Sequence, residues 1–236
     1  MLIKRHMPIL FLLTAFLLSA ACSRAPRWTP PEPAEVESAR TEVLAQNISG
    51  MYPEKYRVAQ RVVIKAFERE FDFVAYLLVV RGSALRVQFL GEMGGTVLDL
   101  AQEGERGRIF KKPDGLPSEP LLLGALGDMV FMYDPSTGSD AYLARGTGEE
   151  ILLVASPFDE VYFQYAFDPP QWRPIRWSDA REGRLLRTAE LSDFRIVEGG
   201  WDHPVPTRIH LENHRYNYTV DVQVLGLKPG IGGSEE

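Results

Sequence analysis

Few side chains in this sequence have the type and spacing that catalysis or metal binding requires. Outside residues 1–21 there are three histidines, and the two that lie closest together, His210 and His214, are four residues apart. That spacing would place both rings on one face of a helix, but apolar and polar residues alternate there with the period of a strand. We therefore predict no metal site, and nothing in the sequence indicates a cofactor.

Carboxylates and nucleophiles give no stronger signal. The sequence contains no GxSxG, P-loop or HExxH motif. Asp159, Glu160 and Asp168 border an aromatic segment, so an acid pair of the kind that glycosidases use remains one interpretation, although solvated strand ends explain these residues more simply. We predict no catalytic residue and expect that the protein is not an enzyme.

Composition excludes further classes of protein. The chain has 236 residues, of which 45% are hydrophobic and 25% charged, as in a globular protein of one or two domains. Its net charge of −6 argues against a nucleic acid partner, because such proteins bind phosphates through clustered Lys and Arg. With Cys22 as the only cysteine, neither an intramolecular disulfide nor a cysteine-rich zinc site can form.

The strongest chemical signal is at that cysteine. Lys4 and Arg5 precede an apolar run, residues 9–18, that is too short to span a bilayer, and small residues lead to Cys22. Residues 1–21 thus have the layout of a secretory signal peptide. The sequence Leu-Ser-Ala-Ala-Cys that ends at Cys22 resembles the bacterial lipobox, which implies that this cysteine is acylated and attaches the protein to a membrane. The alternative is an ordinary signal peptide followed by a chance cysteine.

Residues 22–33 are predicted to connect the anchor to the folded domain. Ser23, rather than Asp, follows the cysteine, and in bacteria with two membranes this resembles the signal for delivery to the outer membrane. The four prolines of the segment favour an extended polyproline II conformation, which predicts a semi-rigid spacer of roughly 30 Å. Trp28 would lie either in the lipid headgroup zone or in solvent.

Residues 34–225 have the periodicity of one folded domain. Spaced apolar residues predict an amphipathic helix over residues 34–47, and residues 118–133 form a second helix that is apolar around nearly its whole circumference. Alternation elsewhere, with short connections, predicts antiparallel strands. Residues 71–81 are apolar on both parities, which predicts a strand covered on both faces. Residues 226–236 are predicted to be a flexible tail. The predicted strands are 56–65, 71–81, 85–89, 96–101, 161–167, 175–178, 185–191, 194–198, 207–213 and 216–225.

Two apolar features require partners inside the fold. The helix at residues 118–133 must be buried, and we expect it to touch the sheet face that carries Val220 and Val222. The aromatic residues between positions 158 and 177, which include Phe163 and Tyr165, are either core packing or one wall of a hydrophobic ligand cavity.

Several segments together resemble a known family. The stretch Leu85–Leu100 places Met93 at a turn between two strands, Leu116–Leu126 opens the apolar helix with Pro and Leu, and Pro206–Leu211 leads into the last strand. With the cysteine and the proline-rich segment, this pattern resembles the LolB-like outer-membrane lipoproteins of the LolA/LolB superfamily. The family's exposed turn leucine corresponds to Met93, whereas its preceding proline is replaced by Glu92 and the helix lacks its usual tryptophan.

The resemblance implies a fold and a site. The fold would be a single, strongly curved antiparallel sheet of about ten strands, an incomplete and half-open barrel, with two or three helices covering its concave face. Helices and sheet would enclose an apolar cavity for acyl chains, and Met93 would contact the membrane or the cargo. The alternative for Met93 is a side chain that folds back onto its own sheet. The candidate cavity-lining residues are Leu121, Leu122, Leu126, Met129, Phe163, Tyr165, Val220 and Val222.

The implied function is that of a lipoprotein anchored through Cys22 in the outer membrane and facing the periplasm. Such a protein binds acyl chains or lipoprotein cargo, works with a periplasmic carrier, and aids lipoprotein localisation or insertion. The alternative is a structural or envelope-assembly lipoprotein that docks a protein partner and carries no lipid, because its own side chains fill its interior.

Overall fold

The computed structural model describes residues 25–34, 38–66, 68–91, 93–104, 106–112, 119–135, 140–158, 160–168 and 171–230. These residues form one antiparallel sheet of twelve strands and two helices. The predicted signal peptide and Cys22 lie outside them. Neither of the described helices is long and apolar enough to cross a membrane. The elements are α1 (Ser38–Ser49), β1 (Lys55–Ala66), β2 (Arg69–Val80), β3 (Ala84–Leu90), β4 (Thr96–Glu103), β5 (Arg106–Lys111), α2 (Glu119–Tyr133), β6 (Ala141–Arg145), β7 (Ile151–Phe158), β8 (Val161–Asp168), β9 (Arg173–Arg181), β10 (Arg184–Arg195), β11 (Val205–Asn213) and β12 (Tyr218–Pro229).

The sheet consists of two meanders that are joined in its middle. Its strand order is β5-β4-β3-β2-β1-β12-β11-β10-β9-β8-β7-β6. Strand β1 pairs with β12 along almost its whole length, with Val62 opposite Val222 and Ile64 opposite Val220. Strands β5 and β6 are the two edges, so the sheet is open and not closed into a barrel.

One face of the sheet is apolar because side chains alternate along the strands. In β12, Tyr218, Val220, Val222 and Val224 are buried, and the residues between them are partly or fully exposed. On this face, the buried side chains of the strands join those of both helices in one continuous core. We call this face of the sheet the inner face and the opposite face the outer face.

The sheet curves around α2. This helix has 15 residues and is therefore about 22 Å long. Near its start Leu123 lies over Gly107 of β5, and near its end the rings of Phe131 and Trp177 of β9 are 6.3 Å apart. In a flat sheet, the eight strand spacings from β5 to β9 would amount to about 38 Å. The sheet must therefore curl to bring both strands to one short helix.

The fold class is confirmed in its main features, with more strands than predicted. The predicted strand 185–191 and the first two residues of the predicted strand 194–198 belong to one strand, β10, in which Asp193 has a positive φ of 58°. Residues 196–198 lie in the loop after β10. Strands β5, β6 and β7 are absent from the prediction. Strand β7 lacks alternation because Leu152 and Leu153 are both buried, on opposite faces, and β5 is a largely exposed edge. The prediction that β2 is covered on both faces is wrong, because Val74, Tyr76 and Leu78 are exposed on its outer face.

The boundaries of two other segments also differ from the prediction. Helix α1 runs over Ser38–Ser49 rather than residues 34–47. Residues 226–229, predicted as part of a flexible tail, continue β12 instead. Leu227 is fully buried there, and its N–H donates to the carbonyl of Glu198 at 3.1 Å, which explains why the strand does not fray.

The proline-rich segment is docked on the sheet and does not stand away from it as a spacer. Residues 25–34, the proline strap, begin beside the β9–β10 turn, where the N–H of Leu185 donates to the carbonyl of Pro26 and the N–H of Trp28 donates to that of Gly183, both at 2.9 Å. The strap ends beside β6, where the N–H of Ala34 donates to the carbonyl of Leu143 at 2.8 Å. It thereby pairs with an edge strand that would otherwise be open.

The strap covers an apolar cluster on the outer face. The ring of Trp28 lies 4.9 Å from that of Tyr162, and the Tyr142 hydroxyl donates to the carbonyl of Pro31 at 3.1 Å. Trp28 therefore packs on the protein rather than lying free in solvent. The cluster comprises Ala144, Leu152, Val154 and Ala166, with Tyr142, Tyr162 and Ile175 packed against it.

Candidate functional site

Most of the predicted cavity-lining residues meet on the inner face. They lie in or against the single core between α2 and the sheet, so α2 occupies the concave space with its own side chains. As predicted, the helix packs against the face that carries Val220 and Val222. The side chain of Leu121 lies outside what the structure describes. The lining candidates found in or against the core are Leu122, Leu126, Met129, Phe163, Tyr165, Val220 and Val222.

The aromatic segment is divided between the two faces of the sheet. Tyr165, Phe167 and Trp177 are fully buried on the inner face. Tyr162 points the other way, toward the proline strap. The aromatic residues thus provide packing on both sides of the strands, and those on the inner face form one wall of the space that α2 fills.

A buried cluster of charged and polar groups holds the middle of α2. Asp128 Oδ1 lies 3.0 Å from Nη1 of Arg187, and Nη2 of the same guanidinium lies 2.8 Å from Oδ2 of Asp179. The side-chain amide of Asn213 donates to both oxygens of Asp128 at 3.0–3.1 Å, and the Tyr218 hydroxyl donates to Oδ2. Both carboxylates are at most 2% exposed. Because a buried carboxylate without partners is strongly unfavourable, these bonds fix the helix against four strands.

The sequence contained one signal for this cluster. Asp128 is the only charged residue of α2 after Glu119, and a charge inside an apolar helix must find partners when the helix is buried. Its partners come from β9 to β12, and no local pattern in the sequence identifies them. The pKa of the Tyr218 hydroxyl is raised by burial and by the negative charge of Asp128.

A second buried network holds the end of α2. The Tyr133 hydroxyl donates to Oε1 of Gln60 in β1, and the Tyr56 hydroxyl donates to the backbone carbonyl of Tyr133. Just beyond the helix, the carboxylate of Asp134 accepts the N–H of Gly82 at 2.7 Å. Burial raises the pKa of both tyrosines. The helix is thus attached by polar bonds at its middle and at its end.

Alkaline titration should distinguish the deeply buried tyrosines from the others. In the unfolded chain these phenols ionise near the ordinary pKa of 10, whereas the folded protein keeps them protonated. Their contribution to the free energy of unfolding is therefore complete below pH 10 and is lost as the pH rises above it. At about pH 11 we expect the folded protein to lack the phenolate absorbance of at least five of its nine tyrosines, and this absorbance should appear on unfolding in denaturant. Nine tyrosines that ionise together in the folded protein would contradict this burial. The five deeply buried tyrosines are Tyr52, Tyr56, Tyr133, Tyr165 and Tyr218. Burial also raises the pKa of Tyr142, which is only partly buried.

Two glycines allow close contact along the start of α2. A Cβ at Gly107 of β5 would lie 2.7 Å from Cδ2 of Leu123, and a Cβ at Gly124 would lie 2.9 Å from the ring of Tyr216. Beside this part of the helix is a solvent-open polar pocket of about 150 Å³, which reaches Asp179 and Arg187. Solvent therefore reaches the rim of the buried cluster where α2 meets the sheet.

Met93 projects from the β3–β4 turn. Its side chain is 98% exposed, which excludes the interpretation that it folds back onto its own sheet. The following Gly94 has a φ of 75° and provides the backbone conformation that the turn requires. A large apolar side chain is thus presented to solvent at one end of the sheet.

The residues considered for metal or acid chemistry are arranged for neither. Nδ1 of His210 lies 2.6 Å from Oδ1 of Asp221, and the described residues contain no group of three or more potential metal ligands. Glu160 precedes β8 and Asp168 ends it, so a strand of eight residues, about 27 Å long, separates them. That separation is too large for a glycosidase acid pair. Asp159 lies outside the described residues.

No protein-family model and no curated protein sequence matches this chain. Solved structures do share its fold. A LolA superfamily protein from Nitrosomonas europaea has a TM-score of 0.58 at 13% identity, over 80% of this chain and 93% of that one. A domain assigned to an outer membrane lipoprotein-sorting protein of Vibrio parahaemolyticus has a TM-score of 0.53 at 12% identity, over 84% and 96% of the two chains.

A DUF1329 family protein from Desulfovibrio piger is similar as well, with a TM-score of 0.50 at 9% identity, over 84% of this chain and 94% of that one. At such low identities these likenesses establish the fold. The chain thus shares its fold with these structures, one of which is a LolA superfamily protein, as the resemblance in the sequence implied.

Proposed function

We propose that the protein is a membrane-anchored lipoprotein that binds acyl chains, or the acylated end of another lipoprotein, between α2 and the inner face of the sheet. The observation that carries this proposal is a helix that is apolar around nearly its whole circumference, enclosed by an open sheet. The inner face of this sheet is apolar except for the polar partners of Asp128 and Tyr133. The fold shared with LolA superfamily proteins supports it. The proposal includes anchoring by acylated Cys22 in the outer membrane, receipt of cargo from a periplasmic carrier, and a role without catalysis.

Binding in this way requires α2 to move. The helix now fills the space that acyl chains would take, so cargo must replace its contacts with the sheet. Each methylene that moves from water into an apolar interior contributes about 0.8 kcal/mol, and a long acyl chain can therefore offset the contacts that α2 gives up. The hydrogen bonds and the ion pair of Asp128 and Tyr133 add to the free energy that bound acyl chains must offset.

Native mass spectrometry of the full chain purified from membranes tests this function. We expect co-purified acyl lipids, or, after delipidation, uptake of a diacylated peptide but not of the same peptide without acyl chains. A bare protein mass together with no uptake of the diacylated peptide would exclude the proposed function.

A second candidate function, docking of a protein partner, is favoured by a strip on the outer face of β2. Val74, Tyr76 and Leu78 are 38–50% exposed there, and Arg57 and Arg86 lie opposite Leu78 on the neighbouring strands. Under this function Tyr76→Lys would abolish partner binding, and the protein would take up no acylated peptide. Uptake of acylated peptide by both wild type and Tyr76→Lys would favour the first function.

Replacement of the exposed turn residue tests its contact with membrane or cargo. We expect Met93→Glu to leave the melting temperature unchanged, because an exposed turn side chain contributes little to stability. Transfer of a labelled lipoprotein to liposomes should fall several-fold, since a carboxylate does not enter an apolar phase. Met93→Leu is the control and should transfer normally. Unchanged transfer by Met93→Glu would remove this residue from the mechanism.

A further inference from the structure

The docked strap leaves the anchor little freedom. Ala25, the first residue of the strap, is three positions after Cys22, and three residues span at most about 11 Å when fully extended. The carbonyl of the next residue, Pro26, already accepts a hydrogen bond from the N–H of Leu185 in β10. Acyl chains on Cys22 would therefore hold the β9–β10 turn close to the bilayer surface.

That turn marks one end of the sheet. In an antiparallel sheet alternate turns share an end, and the registers place the β9–β10 turn with the β3–β4 turn, residues 91–95, and the β11–β12 turn, residues 214–217. We call this the anchor end. Residues 81–83 and 196–204 lie at the opposite, far end. A strand of 12 residues, such as β1, separates the two ends by about 40 Å.

One pair of arginines at the anchor end suits an anionic surface, and the β9–β10 turn beside it also carries the exposed Glu182. Where the strap meets the sheet, Arg27 and Arg184 lie opposite each other as a bridge pair, and both are exposed. Like charges directly opposite are destabilising, and lipid phosphates would relieve this repulsion. The far-end loop 196–204 has the exposed acids Glu198 and Asp202 and no Lys or Arg.

We propose that the proline strap holds the protein end-on against a phospholipid bilayer, with the anchor end at the headgroups and the far end directed away. The inference rests on the proposed acylation of Cys22. In this orientation the paired arginines face the phosphates, and the exposed Met93 turn points toward the same surface. The strap acts as a rigid mount, not as a flexible spacer.

Single fluorophores placed at the two ends test the orientation. An acylated Cys22 does not react with maleimides, so a cysteine introduced elsewhere is labelled alone. Gly95→Cys serves the anchor end, where a Cβ would meet nothing within 4 Å, and the exposed Ser83→Cys serves the far end. Each acylated full-length protein is reconstituted in phosphatidylglycerol-containing vesicles with a lipid that carries a headgroup quencher. In a matched variant, about twelve Gly/Ser residues inserted between Arg24 and Ala25 lengthen the tether by roughly 20 Å and leave the strap intact.

We expect quenching to be at least threefold greater at position 95 than at position 83, and the insertion to abolish this difference. Equal quenching at both positions, or greater quenching at 83, would overturn the orientation. If the bound protein still takes up diacylated peptide in that case, the proposed function stands and only the orientation is wrong. Protein that labels at Cys22 and washes off the vesicles would overturn the anchor and, with it, the orientation.

Discussion

Replacing Asp128 with alanine is expected to lower the free energy of unfolding by about 3–5 kcal/mol, the usual effect of breaking a buried ion pair by removing one partner. The change leaves Arg187, Asn213 and the Tyr218 hydroxyl without their shared acceptor inside the protein. Equilibrium unfolding in urea measures it. Because the same bonds hold α2 to the sheet, the variant should also take up acylated peptide more readily than the wild type.

Asp72→Ala is the matched control for this prediction. It also removes an aspartate from an arginine, but the Arg61–Asp72 pair is about half exposed on the outer face, where solvent screens it. We expect a much smaller loss of stability. Equal losses in the two variants would show that the buried cluster does not hold the helix.

A disulfide between α2 and β5 is expected to abolish acyl binding, because it prevents the helix from leaving the sheet. The ideal Cβ of Gly107 lies 3.7 Å from Cγ of Leu123, and a cysteine Sγ occupies the position of that Cγ, so Gly107→Cys with Leu123→Cys places the two residues within reach of a bond. Uptake of a diacylated peptide is measured before and after reduction. We expect no uptake by the oxidised protein and recovery on reduction.

Two controls accompany the disulfide experiment. Leu123→Cys alone should bind peptide under both conditions, since it has no partner for a bond in an acylated protein. If the oxidised double variant binds as much peptide as its reduced form, binding of cargo does not require α2 to move away from β5.

Strands were predictable from the sequence where one face is buried and the other meets solvent. The alternation of β11 and β12 identifies them, because their outer face meets solvent. Strand β7 was not predictable, since the proline strap covers the outer face there and both Leu152 and Leu153 are buried. The strap itself docks through backbone groups of Pro26, Trp28 and Ala34, and side-chain patterns do not encode such bonds.

The candidate site was predictable in its apolar part and not in its polar part. A helix as apolar as α2 has to be buried. The packing of Met129 against the sheet face that carries Val222 therefore follows from the sequence. The bonds of Asp128 to Arg187 and Asn213 join residues that are 59 and 85 positions apart. Contacts of that range depend on how the whole sheet curls, which alternation within single strands does not specify.

The pairing of β1 with β12 has a consequence for how the chain folds. Each meander is built from neighbouring hairpins that can form early, but the ladder between them joins residues as distant as Val62 and Val222. During synthesis the N-terminal five strands are therefore complete first. The edge of β1 that pairs with β12 stays open until β12 has been made. An open edge of this kind invites association with other chains. Nascent protein should depend on a holding chaperone until its last strand is complete, and a chain truncated before β12 should aggregate rather than fold as a smaller sheet.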